Sequence, residues 1–430
     1  MKLFRFLAIV ISMTMILGLS PGCDGERPEQ QDNSASSVKR INFFHYFSGS
    51  LSGGIDEMVT KVNKDSKEYT VLTSALDHES FKTMIPVSLD RSDPPELFSY
   101  WAGERVQHLV DKNQLLEIDD LWTRENLSNS FAPAIVDTAV SYNGKKYLLP
   151  ITQHIIVFFY NKQIFDDLGL IPPDSWPEFV NICEQVLQHN ISPVALGSRE
   201  RWPAQYWFDF LLLRTAGSDF RTRLLQEHEP FTAQQVVTVY RMWSDMLQHG
   251  YFNSDANSLD WAEATKMVKE GKAAMTLMGT WATQIFDEGP AKNVPGRDYD
   301  YFPFPVIDND VPNVAMGPID GIVISRASDN HKFAKEVLAY FASPEAQKIM
   351  STGSGALAPN TTIPDSFYTP FKLRLKQKIT RADLWANAFD LSTRPAIADR
   401  GLDSFNELIA FPSQYNQILA DMQNEINKSH

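Results

Sequence analysis

Three short stretches each set an aromatic or imidazole ring beside a hydrogen-bonding group: His45-Tyr46-Phe47-Ser48, Asp77-His78-Glu79 and Ser99-Tyr100-Trp101. A ring offers a flat apolar face, and a carboxylate, imidazole or hydroxyl offers directional donors and acceptors. Together they suit a solute with one apolar face and a rim of hydroxyls, and rings beside carboxylates also suit a cation. Catalysis on such a solute would need further machinery. The sequence contains no G-x-S-x-G, no G-x-x-x-x-G-K-[ST] and no H-E-x-x-H, and its nine histidines show no metal-ligand spacing. Glycoside hydrolysis would need two placed carboxylates, and nothing in the pattern singles out a pair among 53 acidic residues. The residues therefore point to binding without catalysis, and they imply no cofactor and no metal.

Each of the three stretches closes a predicted strand. Ile41 to Phe47 is aromatic and β-branched, a Gly/Ser loop follows from Ser48 to Gly54, and a helix is predicted from Ile55 to Val62. Tyr69 to Leu76 and Pro95 to Tyr100 repeat the scheme. Strand, loop and helix in succession predict an α/β protein with mostly parallel sheets flanked by helices. In such sheets ligands sit beyond the carboxyl ends of the strands, where these rings fall. A second α/β unit follows. Asn143-Gly144 marks a hairpin, and the β-rich run Tyr147 to Tyr160 is broken by Pro150, which predicts a change of sheet there. Ser175 and Glu178 form a capping box around Trp176-Pro177, and helices are predicted over Thr232 to Gln248 and Leu259 to Lys269. Ala273 to Met278, Tyr299 to Val306 and Ile319 to Ile324 read as strands. Ser343-Pro344-Glu345 opens a late helix.

The 430 residues are enough for two packed domains. A net charge of −14 would repel phosphate backbones, so nucleic acid is excluded as a partner. Cys23 and Cys183 are too far apart in the sequence to suggest a redox or zinc motif. At the N-terminus Lys2 and Arg5 precede the apolar run Phe6 to Leu19, which has the length of a signal peptide and is shorter than a membrane span. Gly22-Cys23 resembles a bacterial lipobox, although the aliphatic residue, Leu19, stands one place too far upstream. Residues 1–22 are thus expected to be a signal peptide, Cys23 a lipidation site, and residues 23–37 a polar flexible tether.

The segments PPELFSYWAGERVQHLVDKNQLLEIDDLW, FFYNKQIFDDLGLIPPDSWPEF, WAEATKMVKEGKAAMTLMGTWA, YFPFPV, GPIDGIVIS and VLAYFASPEAQKIMSTGSGALAP resemble, in this order, the extracellular solute-binding protein family 1, which includes maltose-binding proteins. The resemblance implies a type II periplasmic-binding-protein-like fold, with two α/β lobes, crossing segments between them, and a sugar in the cleft. Crossings are then expected near Pro150-Ile151, Gly317-Pro318 and Gly355 to Ala358. One lobe would hold residues 38–149 and 319–355, the other 150–318 and 356–430. The implied partners are a sugar and the permease subunits of an ABC importer with their ATPase, with the membrane touched only through the lipid anchor. The protein is expected to be exported and monomeric.

A pyranose needs flat rings for its C–H face and polar partners for its hydroxyls. On that basis Trp101 and Trp281, at positions where the family places cleft aromatics, are the leading candidates, joined by Tyr46 and by Trp202 ahead of Pro203. Trp261 is a further candidate, although with Thr265 and Val268 it also makes an ordinary helix face. Trp207, inside YWFDFLLL, reads as core. The polar candidates are His78, Gln153 and His154 after the first crossing, Asp320 after the second, and Arg394 in LSTRP. A polyamine, a peptide or another small solute on the same fold is the rival to a sugar.

Overall fold

In the computed structural model, residues 38–289, 292–382 and 384–428 are described. The expected signal peptide, Cys23 and the tether lie outside the described residues. β1 (Lys39–His45) buries alternate residues, and the helix Gly53–Asp65 that follows presents Ile55, Met58, Val59 and Val62 on one buried stripe. β2 (Tyr69–Ala75) and β3 (Leu97–Trp101) pair in parallel with β1. A short hairpin, β4 (Ser141–Tyr142) and β5 (Lys145–Lys146), turns at Asn143-Gly144. β6 (Leu149–Gln153) and the later β12 (Ile319–Ile324) complete this first sheet, whose strand order is β2-β1-β3-β12-β6.

The second sheet is built from β7 (Ile156–Asn161), β8 (Ser192–Val194), β9 (Ala273–Gly279) and β10 (Tyr299–Phe302), in the order β10-β7-β9-β8. β11 (Val314–Met316) pairs with β13 (Leu384–Ala386), and β12 (Ile319–Ile324) returns to the first sheet. The predicted capping box forms at the helix Trp176–Gln188.

Two expectations need correction. The sheets are mixed where mostly parallel ones were expected. β12 runs antiparallel to both β3 and β6, and β7 runs antiparallel to β9 and β10. The reason lies in the crossings. β1, β3 and β6 end at the cleft, whereas β12 begins there after the second crossing and must run away from it. The first crossing also falls later than Pro150-Ile151. β6 continues through Pro150 to Gln153, so Leu149–Gln153 is one strand of the first sheet and the chain changes sheet at His154-Ile155. Pro150 is tolerated because β6 is an edge strand and the ladder is irregular at Asp320/Gly321, opposite the proline.

The crossings are tied to one another. The His154 N–H donates to the Pro318 carbonyl (3.1 Å), and Gln153 and Leu357 exchange two backbone hydrogen bonds of 2.9 Å. Three backbone segments are thus held side by side where the chain passes between the sheets.

Candidate functional site: an aromatic box between two lobes

The ends of β1 and β3 form one wall. Tyr46 stacks on Trp101 with ring centres 4.1 Å apart and planes 9° from parallel, and both rings are buried. His78, opening the helix that Asp77 caps, stands edge-on to Trp101 at 4.5 Å. The opposite wall comes from the second lobe. Trp202 lies in a one-turn segment, Trp202–Ala204, and Tyr206 stands in the first turn of the next helix, Gln205–Thr215. Trp281 folds back over the end of β9, with Trp202 and Trp281 5.7 Å apart and Trp202 and His78 5.4 Å apart. Gly279 permits this last arrangement, because a Cβ there would lie 2.1 Å from the Trp281 ring. Trp261, half-buried, completes the ring of aromatics.

At the floor, Asp320 stands directly opposite Trp101 in the ladder. Its carboxylate accepts from Tyr46 Oη (2.8 Å) and Thr152 Oγ1 (2.6 Å). Burial raises its pKa to about 6, against the lowering effect of those two donors. His154 Nε2 lies 3.6 Å from Asp320 Oδ2, and His154 Nδ1 lies 2.8 Å from Thr280 Oγ1. Burial, aided by Lys372, lowers the His154 pKa to about 3. The imidazole is therefore neutral at pH 7, and its contact with Asp320 is a polar contact and not an ion pair.

Between the walls lies a cavity of about 130 Å³, roughly ten times what one water requires. Eight of the ten predicted residues line it: Tyr46, His78, Trp101, His154, Trp202, Trp261, Trp281 and Asp320. Gln153 does not line it, and its backbone is spent on the pairing with Leu357. Arg394 does not either, and this expectation is corrected. It precedes the helix Pro395–Ala410 and makes a two-toothed ion pair with Glu227 at 2.6 and 2.7 Å, with its side chain nearly half exposed.

The sequence reading missed Tyr206, Glu200 and Asp390. Glu200 accepts from Trp202 Nε1 at 3.1 Å, and the adjacency of a carboxylate and a tryptophan was a signal available in the sequence. Asp390 had none. Its segment folds back under the helix Gln205–Thr215, where the Phe389 and Asp390 N–H groups donate to Asp209 and Gln205. There Asp390 meets two cations of the first lobe, Lys82 at 3.2 Å and Arg105 at 3.6 Å. Burial acts to raise its pKa, but Lys82 and Arg105 outweigh it and hold the carboxyl below its ordinary value. Gly103, at φ +111°, lets the first lobe approach so closely that a Cβ would lie 2.2 Å from the Leu391 carbonyl oxygen. A further ion pair, Arg201 to Glu79 at 3.1 Å, joins the lobes at the rim. The jaws are therefore closed on each other, with buried charges matched across the seam.

Two α/β lobes closing on an aromatic box is the geometry of a receptor for small solutes. The sequence profile of the bacterial extracellular solute-binding protein family matches residues 48–348. The chain belongs to this family. The solute-binding protein is 25% identical, over 87% of its own length and 84% of the relative's, to an uncharacterised ABC transporter extracellular-binding protein of Pyrococcus horikoshii. It is 21% identical to the melibiose/raffinose/stachyose-binding protein of Bacillus subtilis, covering 84% of this chain and 82% of that one. Among solved structures it is similar to the bacterial solute receptor AcbH, described as having an exclusive preference for β-D-galactopyranose. The TM-score is 0.84 at 24% identity, with 91% of this chain and 99% of that one covered. As a member of this family the solute-binding protein acts outside the cytoplasm, delivering to an ABC transporter's membrane components, and it is a receptor and not a catalyst. Among the described residues no group of side chains is arranged to hold a metal, and no helix is long and apolar enough to cross a membrane.

Proposed function

We propose that the solute-binding protein captures a sugar in the interlobe cleft and hands it to the permease subunits of an ABC importer. The observation that carries this reading is the pair of facing aromatic walls, Tyr46 and Trp101 on one lobe and Trp202, Tyr206 and Trp281 on the other, over a buried carboxylate. A pyranose would lay its C–H faces on the rings and its hydroxyls toward Asp320. His78 Nδ1 and Trp281 Nε1 are buried without hydrogen-bond partners, which supports their use by a polar guest. The sugar would contact both lobes only when they are closed, and that differential contact drives closure. Lipidation at Cys23, with residues 23–37 as tether, would keep a monomeric receptor near its transporter.

A second reading has its own observation. Asp77, Glu200, Asp320 and Asp390 line the cleft and, among the described residues, no lysine or arginine does, which suits a polyamine or another cation. A thermal-shift screen of residues 24–430 against mono- and oligosaccharides, polyamines and peptides separates the two. A ligand at 100 times its Kd stabilises by about 2.7 kcal/mol, enough to raise Tm by a few degrees in a protein of this size. Sugars should respond; a polyamine response with silent sugars would replace the first reading by the second.

A further inference from the structure

A second cavity, of about 40 Å³, lies in the second lobe against the crossing segments, with Ile155 and Asn313 in its wall. Among the described residues its only ionisable lining residues are Arg214 and Lys378, and no carboxylate lines it. Arg214 stands in the last turn of the helix Gln205–Thr215 and is 3% exposed. One nitrogen, Nη2, donates to Asn313 Oδ1 (2.7 Å) and the Val314 carbonyl (3.2 Å). Nε and Nη1 are buried and have no hydrogen-bond partner. Burial lowers its pKa to about 10, which still leaves it charged at neutral pH.

The other buried arginines of the molecule differ. Arg221 is held by Asp209 at 2.7 Å, and Arg105 faces Asp390. Among the described residues Arg214 has only the face of Phe210, 5.6 Å from its guanidinium carbon, and neutral acceptors. A buried charge with two unspent donors and no counter-charge among the described residues is costly unless something supplies the anion. The cavity exceeds the ~10–15 Å³ that a single water occupies, and exposed Lys378 adds a second positive charge to its lining.

We propose that Arg214 and Lys378 form a binding site for a small oxyanion, such as sulfate, phosphate or a carboxylate, separate from the cleft. The anion accepts from Arg214 Nε and Nη1 and pairs with the Lys378 ammonium, while Phe210 and Phe304 exclude water around it. The site does not depend on the identity of the cleft's solute.

Calorimetric titration with sodium sulfate, sodium phosphate and sodium acetate, each at constant ionic strength, tests it. At least one should saturate at one site per chain, and which one does identifies the source. Arg214→Gln should weaken that binding at least tenfold and Lys378→Ala severalfold. Because Arg214→Gln can fail to fold, wild-type crystals soaked in selenate give an independent reading. Anomalous density beside Arg214 supports the site, and ordered water alone there overturns it. Asp383 follows Ala382, a lining residue, in the sequence. Binding seen only in Asp383→Asn would mean that the chain supplies its own anion, and would likewise overturn the proposal.

Discussion

The two walls of the cleft are built differently. Tyr46 and Trp101 close adjacent strands of one sheet, stacked on each other and edge-on to Phe81 beneath, so their positions follow from the ladder itself. Trp202 hangs on a single turn entered through Arg201, whose φ of +63° and ψ of −47° lie in a region that favours glycine. Asp390 reaches the cleft only because a distant segment folds back under it. One wall is a platform fixed by adjacent strands of one sheet. The other is a jaw pieced together from a single turn, the start of a helix and the end of a strand, and completed by charges across the seam, so platform substitutions should cost stability and jaw substitutions should cost affinity.

The largest expected effect is on the platform. Trp101→Ala removes a ring that is 3% exposed and touches Tyr46, His78 and Phe81. Urea unfolding should show a loss of about 3–5 kcal/mol. A loss under about 1 kcal/mol would mean that this wall is as loosely built as the other.

Next comes the boundary between the walls, where Asp320 and His154 titrate in opposite senses. With a folded pKa near 6 against about 3.9 unfolded, Asp320 binds its proton more tightly in the folded state, so its contribution to stability falls as pH rises from about 4 to 6. His154, near 3 when folded and about 6.5 unfolded, contributes stability that is lost as pH falls from about 6.5 toward 3. The two slopes oppose each other between pH 4 and 6. Asp320→Asn leaves the histidine slope alone, and stability should then climb by roughly 2–3 kcal/mol over that interval relative to wild type. Parallel wild-type and variant profiles would contradict these burial shifts.

The jaw should respond in the reverse order to the platform. Trp202→Ala should weaken solute binding about tenfold or more, roughly 1.4 kcal/mol, while lowering stability by less than Trp101→Ala does. Calorimetry beside urea unfolding measures both. Equal stability losses for the two tryptophans would erase the distinction between platform and jaw.

The smallest effect is at the rim. Arg201 is partly exposed and bridges Asp403 at 2.7 Å to Glu79 at 3.1 Å. Arg201→Ala should cost no more than about 1 kcal/mol of closure, read as a modest loss of affinity at low salt that disappears near 1 M salt, where charges are screened beyond about 3 Å. A loss that persists at high salt would assign Arg201 a direct contact with the solute.

The platform was legible because alternation and β-branching locate a strand and the sheet rule locates its functional end. Tyr46 and His78 follow from that, and Trp101 from that together with the family resemblance. The position of the first crossing was not legible. Pro150 looks like a strand breaker, and only the pairing partners reveal that it sits on an edge beside an irregularity, so that the chain leaves the sheet after Gln153. Asp390 was invisible for a related reason. Nothing local distinguishes it from other acids, and it gains its role from Lys82 and Arg105, roughly three hundred residues upstream. Arg394, four residues further on, faces Glu227 instead.

Where the solute lies decides between these readings, so the decisive measurement is a crystal structure of the protein with the sugar that gives the largest thermal shift. The pyranose should lie between Trp101 and the Trp202–Trp281 pair, with a hydroxyl within hydrogen-bond distance of Asp320. A sugar bound outside this box, or bound against one wall with the lobes open, would contradict it.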